Sequence, residues 1–143
     1  MLDQVPDKLK KKGLIKALRL AGNVVRDAAR AAAPVLQAPA LYRKKGTVRR
    51  AIVVRTSKFA RKRGDLGVFV GVRQLRGART RTLGAAGAKN PNDPYYWHFS
   101  EFGTKKMSKR PFMSVGAGKL EQATDVFMRE ATAAVNQLNT GAP

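Results

Sequence analysis

Two amphipathic segments of helical length, one near each end of the chain, constrain the fold more than any other feature. Their periodic positions recur at steps of three and four residues, which places them on one face of a helix. The first segment predicts a helix over residues 14–33, which Pro34 ends, and the second predicts a helix over residues 119–138. The positions that define the two faces are Leu14, Leu18, Ala21, Val25, Ala28 and Ala32, then Leu120, Thr124, Phe127, Ala131, Ala134 and Leu138. Each face has to pack against another element.

Strand-like sequence between the two helices supplies that element. Residues 48–55 are rich in β-branched side chains, and residues 66–73 alternate in character, so both segments predict strands. The aromatic residues 95–102 predict a third strand. We therefore expect an α+β fold, in which a small antiparallel sheet packs with a long N-terminal helix and a C-terminal helix.

One long basic loop interrupts this single predicted domain, which spans residues 1–143 with loose ends at 1–6 and 139–143. Residues 74–94 are rich in glycine, asparagine and proline and lack apolar periodicity, so we expect a flexible loop. Loops of this length are usually functional or disordered. Its basic side chains are candidates for contact with DNA or with a neighbouring subunit, or they are simply solvated. Together with the residue just before the loop, they are Arg73, Arg76, Arg79, Arg81 and Lys89.

The charge of the chain restricts its partners. Its 29 lysines and arginines outweigh nine acidic residues, which gives a formal net charge of +20. Because self-repulsion of this size disfavours an isolated compact chain, we expect nucleic acid, an anionic membrane surface or an acidic protein to offset it. No run of about 18 apolar residues predicts a membrane-spanning helix, and the start lacks the apolar run of a signal peptide. Of the three candidate partners we favour nucleic acid or an acidic protein, and we expect a protein made and used in a cytoplasm, with no membrane partner.

Few residues could carry catalysis or bind a metal. Glu121 and Asp125 lie one turn apart, but both fall near the start of the last predicted helix, where the helix dipole favours carboxylates. His98 is the only histidine, and although Ser100 shares its predicted strand face, no motif supports a catalytic pair. The absence of cysteine excludes thiolate metal sites. We expect no enzymatic activity, no metal and no cofactor.

The most informative stretch lies between residues 95 and 112, where an aromatic strand is expected to end in a glycine turn that leads to the last helix. We expect its three phenylalanines, Phe99, Phe102 and Phe112, to be buried. Glu101 is a lone acid among them, and a buried carboxylate is costly unless it is paired. It should therefore accept hydrogen bonds from a run of backbone N–H groups or from an arginine, with Arg110 or an arginine of a neighbouring subunit as our candidate.

This block resembles the signature of a family of morphogenesis proteins from long-tailed bacteriophages, which are described as neck, head-to-tail joining or tail-completion components. The family pattern is a Tyr-Ala-x-x-x-Glu-Phe-Gly-Thr segment, then a short polar stretch, Pro-Phe and a helix. A looser match upstream consists of Ala33, Pro34 and residues 46–52, and Trp97 and His98 replace the small residues that are usual in the pattern. The matching residues are Tyr95 or Tyr96, Glu101, Phe102, Gly103, Thr104, Pro111 and Phe112, with Arg110 beside them.

The resemblance implies a structural subunit of a closed ring, commonly six-fold or twelve-fold, that is stacked between the capsid portal and the tail tube. Its implied partners are copies of itself, neighbouring head-closure and tail proteins, and genomic DNA in the lumen. The implied location is the neck or tail of the virion, after assembly in the host cytoplasm. In such a ring the basic loop would face the DNA-bearing lumen or an acidic neighbouring ring.

A second hypothesis is a sequence-independent nucleic-acid-binding protein that acts as a monomer or dimer. Its basic footprint would include residues 8–12 and 61–63, with Tyr95, Tyr96 and Trp97 available for base stacking. The wide spread of basic residues over every segment argues against a single recognition element. A nuclease or other enzyme is a third and weaker hypothesis.

Overall fold

The structure, a computed structural model, describes residues 7–38 and 40–141, and it has the α+β class that the sequence predicts. A two-stranded antiparallel sheet and five short helices lie in sequence between two long helices, all within these described ranges. The elements are α1 (Asp7–Ala32), α2 (Thr47–Ala51), β1 (Ile52–Thr56), α3 (Lys58–Lys62), β2 (Val68–Val72), α4 (Arg79–Leu83), α5 (Trp97–Phe102), α6 (Met113–Ala117) and α7 (Leu120–Asn139). The expected loose ends at residues 1–6 and 142–143 lie outside the described residues, whereas Asn139 still belongs to α7.

Small side chains form the buried face of α1. They lie four residues apart, at Ala17, Ala21, Val25, Ala29 and Ala33, the last just beyond the helix. The predicted face shares only Ala21 and Val25 with this row, because the true face is rotated by about one position. The small residues allow close approach of a neighbouring element: a Cβ atom built on Gly22 would lie 2.8 Å from Cγ1 of Val54.

The first predicted strand is correct only in its second half. β1 begins at Ile52, and the preceding residues, which were expected to extend the strand, form the short helix α2. Gly46 adopts a left-handed conformation with φ 75°, and the Thr47 hydroxyl donates a hydrogen bond to the carbonyl oxygen of Lys44 at 2.9 Å. This turn starts a helix that Arg49 and Arg50 continue readily, since arginine is a good helix former. The second predicted strand is confirmed as β2.

The predicted third strand is wrong, because its aromatic residues form α5 instead. Aromatic composition favours strands, but tertiary contacts can override that preference. Tyr96, Phe99 and Phe102 recur at steps of three residues, which suits a helical turn better than the period of two that a strand needs. The N–H group of Phe99 accordingly donates to the carbonyl oxygen of Tyr96 at 3.1 Å, and that of Gly103 donates to Phe99 at 2.9 Å.

Contacts divide the chain into two compact units. Unit 1 comprises Met1–Val25, Val54–Val70 and Lys119–Pro143, and unit 2 comprises Arg26–Val53 and Gly71–Gly118. In unit 1, a buried cluster of Ala21, Val25 and Ala123 packs against Val24, Val70 and Phe127. In unit 2, the largest fully buried side chains are Phe112, Ile52, Leu75 and Pro94.

The buried face of α7 differs from the predicted one at its start. Ala123 is buried, whereas Leu120 is 59% exposed and Thr124 is exposed. Further along α7, Phe127 packs against the core of unit 1 as expected. Within the described part of the chain, no helix is both long enough and apolar enough to cross a membrane.

Candidate functional site

The block that carries the family signature forms α5, a turn and the start of α6, all in unit 2. Gly103 ends α5 with φ 76°, a conformation that favours glycine. A Cβ atom at this position would lie 3.0 Å from the backbone nitrogen of Lys109 and 3.0 Å from the carbonyl oxygen of Met107. Thr104 and Met107 pair across the turn, and the backbone N–H of Arg110 donates to the carbonyl oxygen of Ser100 at 2.7 Å. The turn therefore brings residue 112 back to α5.

Glu101 is the centre of this arrangement. Only 5% of its surface is exposed, and its carboxylate accepts hydrogen bonds at the start of α6. Oε2 accepts from the backbone N–H groups of Phe112 at 2.8 Å and Met113 at 2.9 Å. Oε1 accepts from the backbone N–H of Ser114 at 3.1 Å and from its hydroxyl at 2.6 Å. One side chain thus joins two short helices.

This geometry confirms one of the two partners expected for Glu101 and corrects the other. The expected run of backbone N–H groups is present, because the first N–H groups of a helix have no partner within it and point toward an acceptor. Arg110 is the wrong candidate: its side chain is exposed, and no ion pair joins it to Glu101 among the residues that the structure describes. The backbone N–H groups therefore offset the cost of burying the Glu101 carboxylate, and no buried cation is needed.

The hydrogen bonds also set the charge state of the glutamate. Burial raises the pKa of Glu101, but the bonds from Ser114, Phe112 and Met113 outweigh it and hold that pKa below its ordinary value. The carboxylate is therefore ionised at neutral pH, and it is stabilised by dipoles rather than by a counter-ion.

The three phenylalanines of the block have different surroundings. Phe112 is fully buried as expected, and the ring of Trp97 lies edge-on to it, with 6.4 Å between centroids. Phe99 and Phe102 were expected to be buried, but they are 39% and 74% exposed. The helical conformation explains the difference, because successive residues of a helix are about 100° apart and Glu101 occupies the inward position.

The basic loop is more organised than its sequence predicts. The short helix α4 lies inside it, so the expected absence of regular structure is wrong over residues 79–83. The Asn90 amide group donates to the carbonyl oxygens of Leu83 and Ala85, both at 2.8 Å. The buried carboxylate of Asp93 accepts from the N–H of Gly87 at 2.8 Å. Such bonds from asparagine and aspartate side chains to nearby backbone groups favour turns.

The five predicted basic residues of this region do not behave alike. Arg79 is half-buried, and its guanidinium donates to the carbonyl oxygens of Gln74 at 3.2 Å and Arg73 at 3.4 Å. Arg79 therefore links α4 to the start of the loop. The remaining four, Arg73, Arg76, Arg81 and Lys89, are exposed.

Arg43 is an important residue of unit 2 that sequence analysis missed. Its guanidinium donates to the Tyr95 hydroxyl at 2.8 Å and to the Ala88 carbonyl at 3.1 Å, and it lies 4.4 Å from the centroid of the Tyr96 ring. Burial raises the pKa of Tyr96 despite the nearby positive charge. No periodicity or motif marks Arg43, because Ala88 and Tyr95, the partners that tie it to the rest of unit 2, lie more than forty residues away in sequence. The two tyrosines are thus already engaged within the chain.

The eight acidic residues that the structure describes fall into three groups. Asp93 and Glu101 are buried. Four others have a basic neighbour: Asp7 with Lys10, Asp27 with Arg26, Asp65 with Arg63 and Glu130 with Arg129. Glu121 and Asp125 are exposed, and over residues 7–38 and 40–141 neither forms an ion pair or a side-chain hydrogen bond.

Residues considered for catalysis are not gathered into one site. His98 lies between aromatic rings, with its centroid 4.2 Å from that of Phe99 and 6.0 Å from that of Trp97. In the described part of the chain, no group of three or more His, Asp or Glu residues could hold a metal ion.

The fold and the site thus define a small α+β protein in which a buried glutamate fixes the start of one short helix to another. A family model described as "Bacteriophage HK97-gp10, putative tail-component" matches residues 1–103, which is well over half of the chain. The chain therefore belongs to the HK97-gp10-like family, and its role is structural, in the tail region of the phage virion. The matched residues include Glu101 and Gly103 but stop before Pro111 and Phe112. Searches of curated proteins and of solved structures found no significant match.

Proposed function

We propose that this chain forms a ring of identical subunits in the neck or tail-completion region, where it joins the phage head to the tail around the DNA channel. In this role it does no chemistry, and its partners are copies of itself, the neighbouring head-closure and tail proteins, and the genomic DNA in the lumen. Six-fold or twelve-fold symmetry is the expectation. The membership of a phage tail family carries the proposal, and two surface features support it.

The first supporting feature is the exposed face of α7. Leu120 and Met128 are each 59% exposed and lie on the same side of the helix, eight residues apart. Glu121 and Asp125 lie beside them, and Thr124 completes the row. Exposed apolar side chains next to two acids that form no ion pair within the described ranges suit a basic partner surface. A second copy of this chain, with its net charge of +20, offers such a surface.

The second feature is the exposed aromatic surface of α5. Phe102 is 74% exposed although it directly follows the buried Glu101. Covering it in an assembly would remove a large apolar side chain from water, a change worth about 1.5–3 kcal/mol for full burial. Closed rings of identical subunits cover such surfaces by repeating one contact around the axis.

A complementation assay tests the proposal. A phage with a nonsense codon in this gene is grown on cells that supply the wild-type chain or the Glu121→Lys/Asp125→Lys variant. We expect the variant to lower the plaque titre at least tenfold and to leave separate DNA-filled heads and tails, which negative-stain microscopy counts. The matched control is Asp7→Lys/Asp65→Lys, which changes the net charge equally at two exposed and only weakly paired acids; it should leave the titre unchanged.

Two results would contradict the proposal. A normal titre with the α7 variant would remove α7 from the assembly contact. Purified particles that lack this polypeptide would remove the connector role altogether and favour the sequence-independent nucleic-acid-binding protein. Circular dichroism of both variants excludes a folding defect as the cause of a low titre.

A further inference from the structure

An arginine-lined cavity on the surface of unit 2, wide open to solvent, lies outside the glutamate site and outside the basic loop. Its volume is about 630 Å³, and four residues line it: Asp27, Arg30, Arg49 and Arg50. Three of the four carry a guanidinium group, and the carboxylate of Asp27 is already engaged by Arg26 at 2.8 Å. The cavity therefore presents an excess of positive charge.

Arg30 is held in a fixed position within this cavity. It is half-buried, and its Nε and Nη2 atoms donate to the carbonyl oxygen of Ile52 at 3.0 and 2.7 Å. A guanidinium group has five N–H donors, so three remain for another acceptor. Because the bonds to Ile52 fix the group in advance, a ligand loses less conformational freedom on binding it.

Arg49 and Arg50 contribute the unpaired charge. They lie in the last turn of α2 and are exposed. Within the described ranges, neither side chain forms a hydrogen bond or an ion pair. By contrast, the guanidinium groups of Arg43, Arg79 and Arg129 have partners in the chain.

We infer that this cavity binds the phosphate groups of duplex DNA without reading its sequence. Guanidinium groups match phosphate oxygens with paired hydrogen bonds, and neighbouring arginines can each bind a different phosphate of the DNA backbone. Duplex DNA carries one negative charge per about 1.7 Å of its axis, a density that suits a chain with a net charge of +20 better than an ordinary acidic protein surface does. The inference depends on the local charge of unit 2 and holds whether or not the chain forms a ring.

Duplex-DNA binding by the purified full-length chain tests this inference, with fluorescence anisotropy measured over a series of salt concentrations. The Arg49→Gln/Arg50→Gln variant should lose about 1.8 from the slope of log K against log salt, which is about 0.9 for each lost phosphate contact. We take about 1 M salt as the concentration at which the plots of log K against log salt for the wild type and the variant meet. At 0.1 M salt the change in slope then corresponds to roughly a 60-fold weaker Kd. Arg49→Lys/Arg50→Lys, which keeps the charge but loses the planar fork, should keep the slope and bind more weakly.

Arg61→Gln/Lys62→Gln is the matched control, because it removes two adjacent charges from the last turn of another five-residue helix. It should change the slope by less than half as much. An equal loss in both variants would show that net charge alone matters and would overturn the site. Polyglutamate serves as a competitor: if the Arg49→Gln/Arg50→Gln variant lost polyglutamate binding but kept DNA binding, the cavity would be a contact for an acidic protein instead. No DNA binding by the wild-type chain would also refute the inference, without affecting the test of the ring.

Discussion

Replacing Glu101 by glutamine exchanges one carboxylate oxygen for an NH₂ group of similar size and removes the negative charge. The four hydrogen bonds at the start of α6 are shared equally between the two oxygens, two on each. Glutamine keeps one acceptor and replaces the other carboxylate oxygen by an NH₂ group, which can only donate. If this group faces Ser114, the hydroxyl can turn to accept from it, but the backbone N–H of Ser114 loses its acceptor. At least one of the four bonds is therefore lost, and the others no longer go to a charged group.

The expected cost follows from these bonds. A hydrogen bond to a charged group contributes about 1.5–3 kcal/mol and a neutral one about 0.5–1.5 kcal/mol, so the loss of one bond and the weakening of the others should together lower the free energy of unfolding by about 3 kcal/mol. For a chain of this length each kcal/mol lowers Tm by roughly 2–4 °C, which predicts a fall of roughly 6–12 °C. Urea unfolding measures the free energy, and amide hydrogen exchange at residues 112–114 localises the change. Asp65→Asn is the control, since its exposed carboxylate lies 4.0 Å from Arg63; it should change the stability by less than about 0.5 kcal/mol.

The pH dependence supplies a second check on the same residue. Because the pKa of Glu101 in the folded chain lies below its ordinary value, the unfolded chain takes up the proton first as the pH falls. The stabilisation is complete above the ordinary glutamate pKa of about 4.3 and disappears as the pH falls through the lower, folded value. The stability difference between wild type and Glu101→Gln should therefore shrink in acid. A difference that stays constant down to the acid transition, or a glutamine variant as stable as wild type at neutral pH, would refute this reasoning.

Three further predictions concern other parts of unit 2. Gly103→Ala should lower the free energy of unfolding by about 2–3 kcal/mol in urea titrations, because the left-handed backbone and the neighbouring backbone atoms both oppose a Cβ atom; a loss below 0.5 kcal/mol would contradict this. Arg43→Lys should cost about 1–2 kcal/mol in thermal unfolding, since lysine cannot keep the planar contact with Tyr96 and the bonds to two acceptors together; an unchanged Tm would show that the contact is dispensable. Substituting the exposed loop residues Arg76 and Arg81 by glutamine should lower the yield of DNA-filled virions while far-UV circular dichroism stays unchanged, and a normal yield would exclude the loop from assembly.

The two long helices and strand β2 could be predicted from the sequence, whereas the short helices could not. α1 and α7 extend over many turns, so their apolar periodicity is visible even though the exact face is off by one position at Ala17 and Ala123. α2, α4 and α5 have five or six residues each, which is less than two turns and too short for a periodic signal. The aromatic composition of α5 then predicted a strand where the structure has a helix.

The site could be predicted in outline but not in detail. A buried glutamate among aromatics needs compensation, and this argument correctly predicts a run of N–H groups as one solution for Glu101. It cannot distinguish that solution from an arginine, because almost every residue carries a backbone N–H and the identities of Phe112, Met113 and Ser114 therefore give no sign of it. The exposure of Phe102 follows only once α5 is known to be helical.

The position of Trp97 makes it possible to ask how the two units unfold. It is the only tryptophan of the chain, and its ring lies against Phe112 in unit 2. Its fluorescence emission therefore reports on unit 2 alone, whereas α7, one of the two long helices that dominate the ellipticity, belongs entirely to unit 1. Coincident melting curves from the two optical signals would mean that the chain behaves as one cooperative folding unit, and separated curves would mean that each unit melts independently.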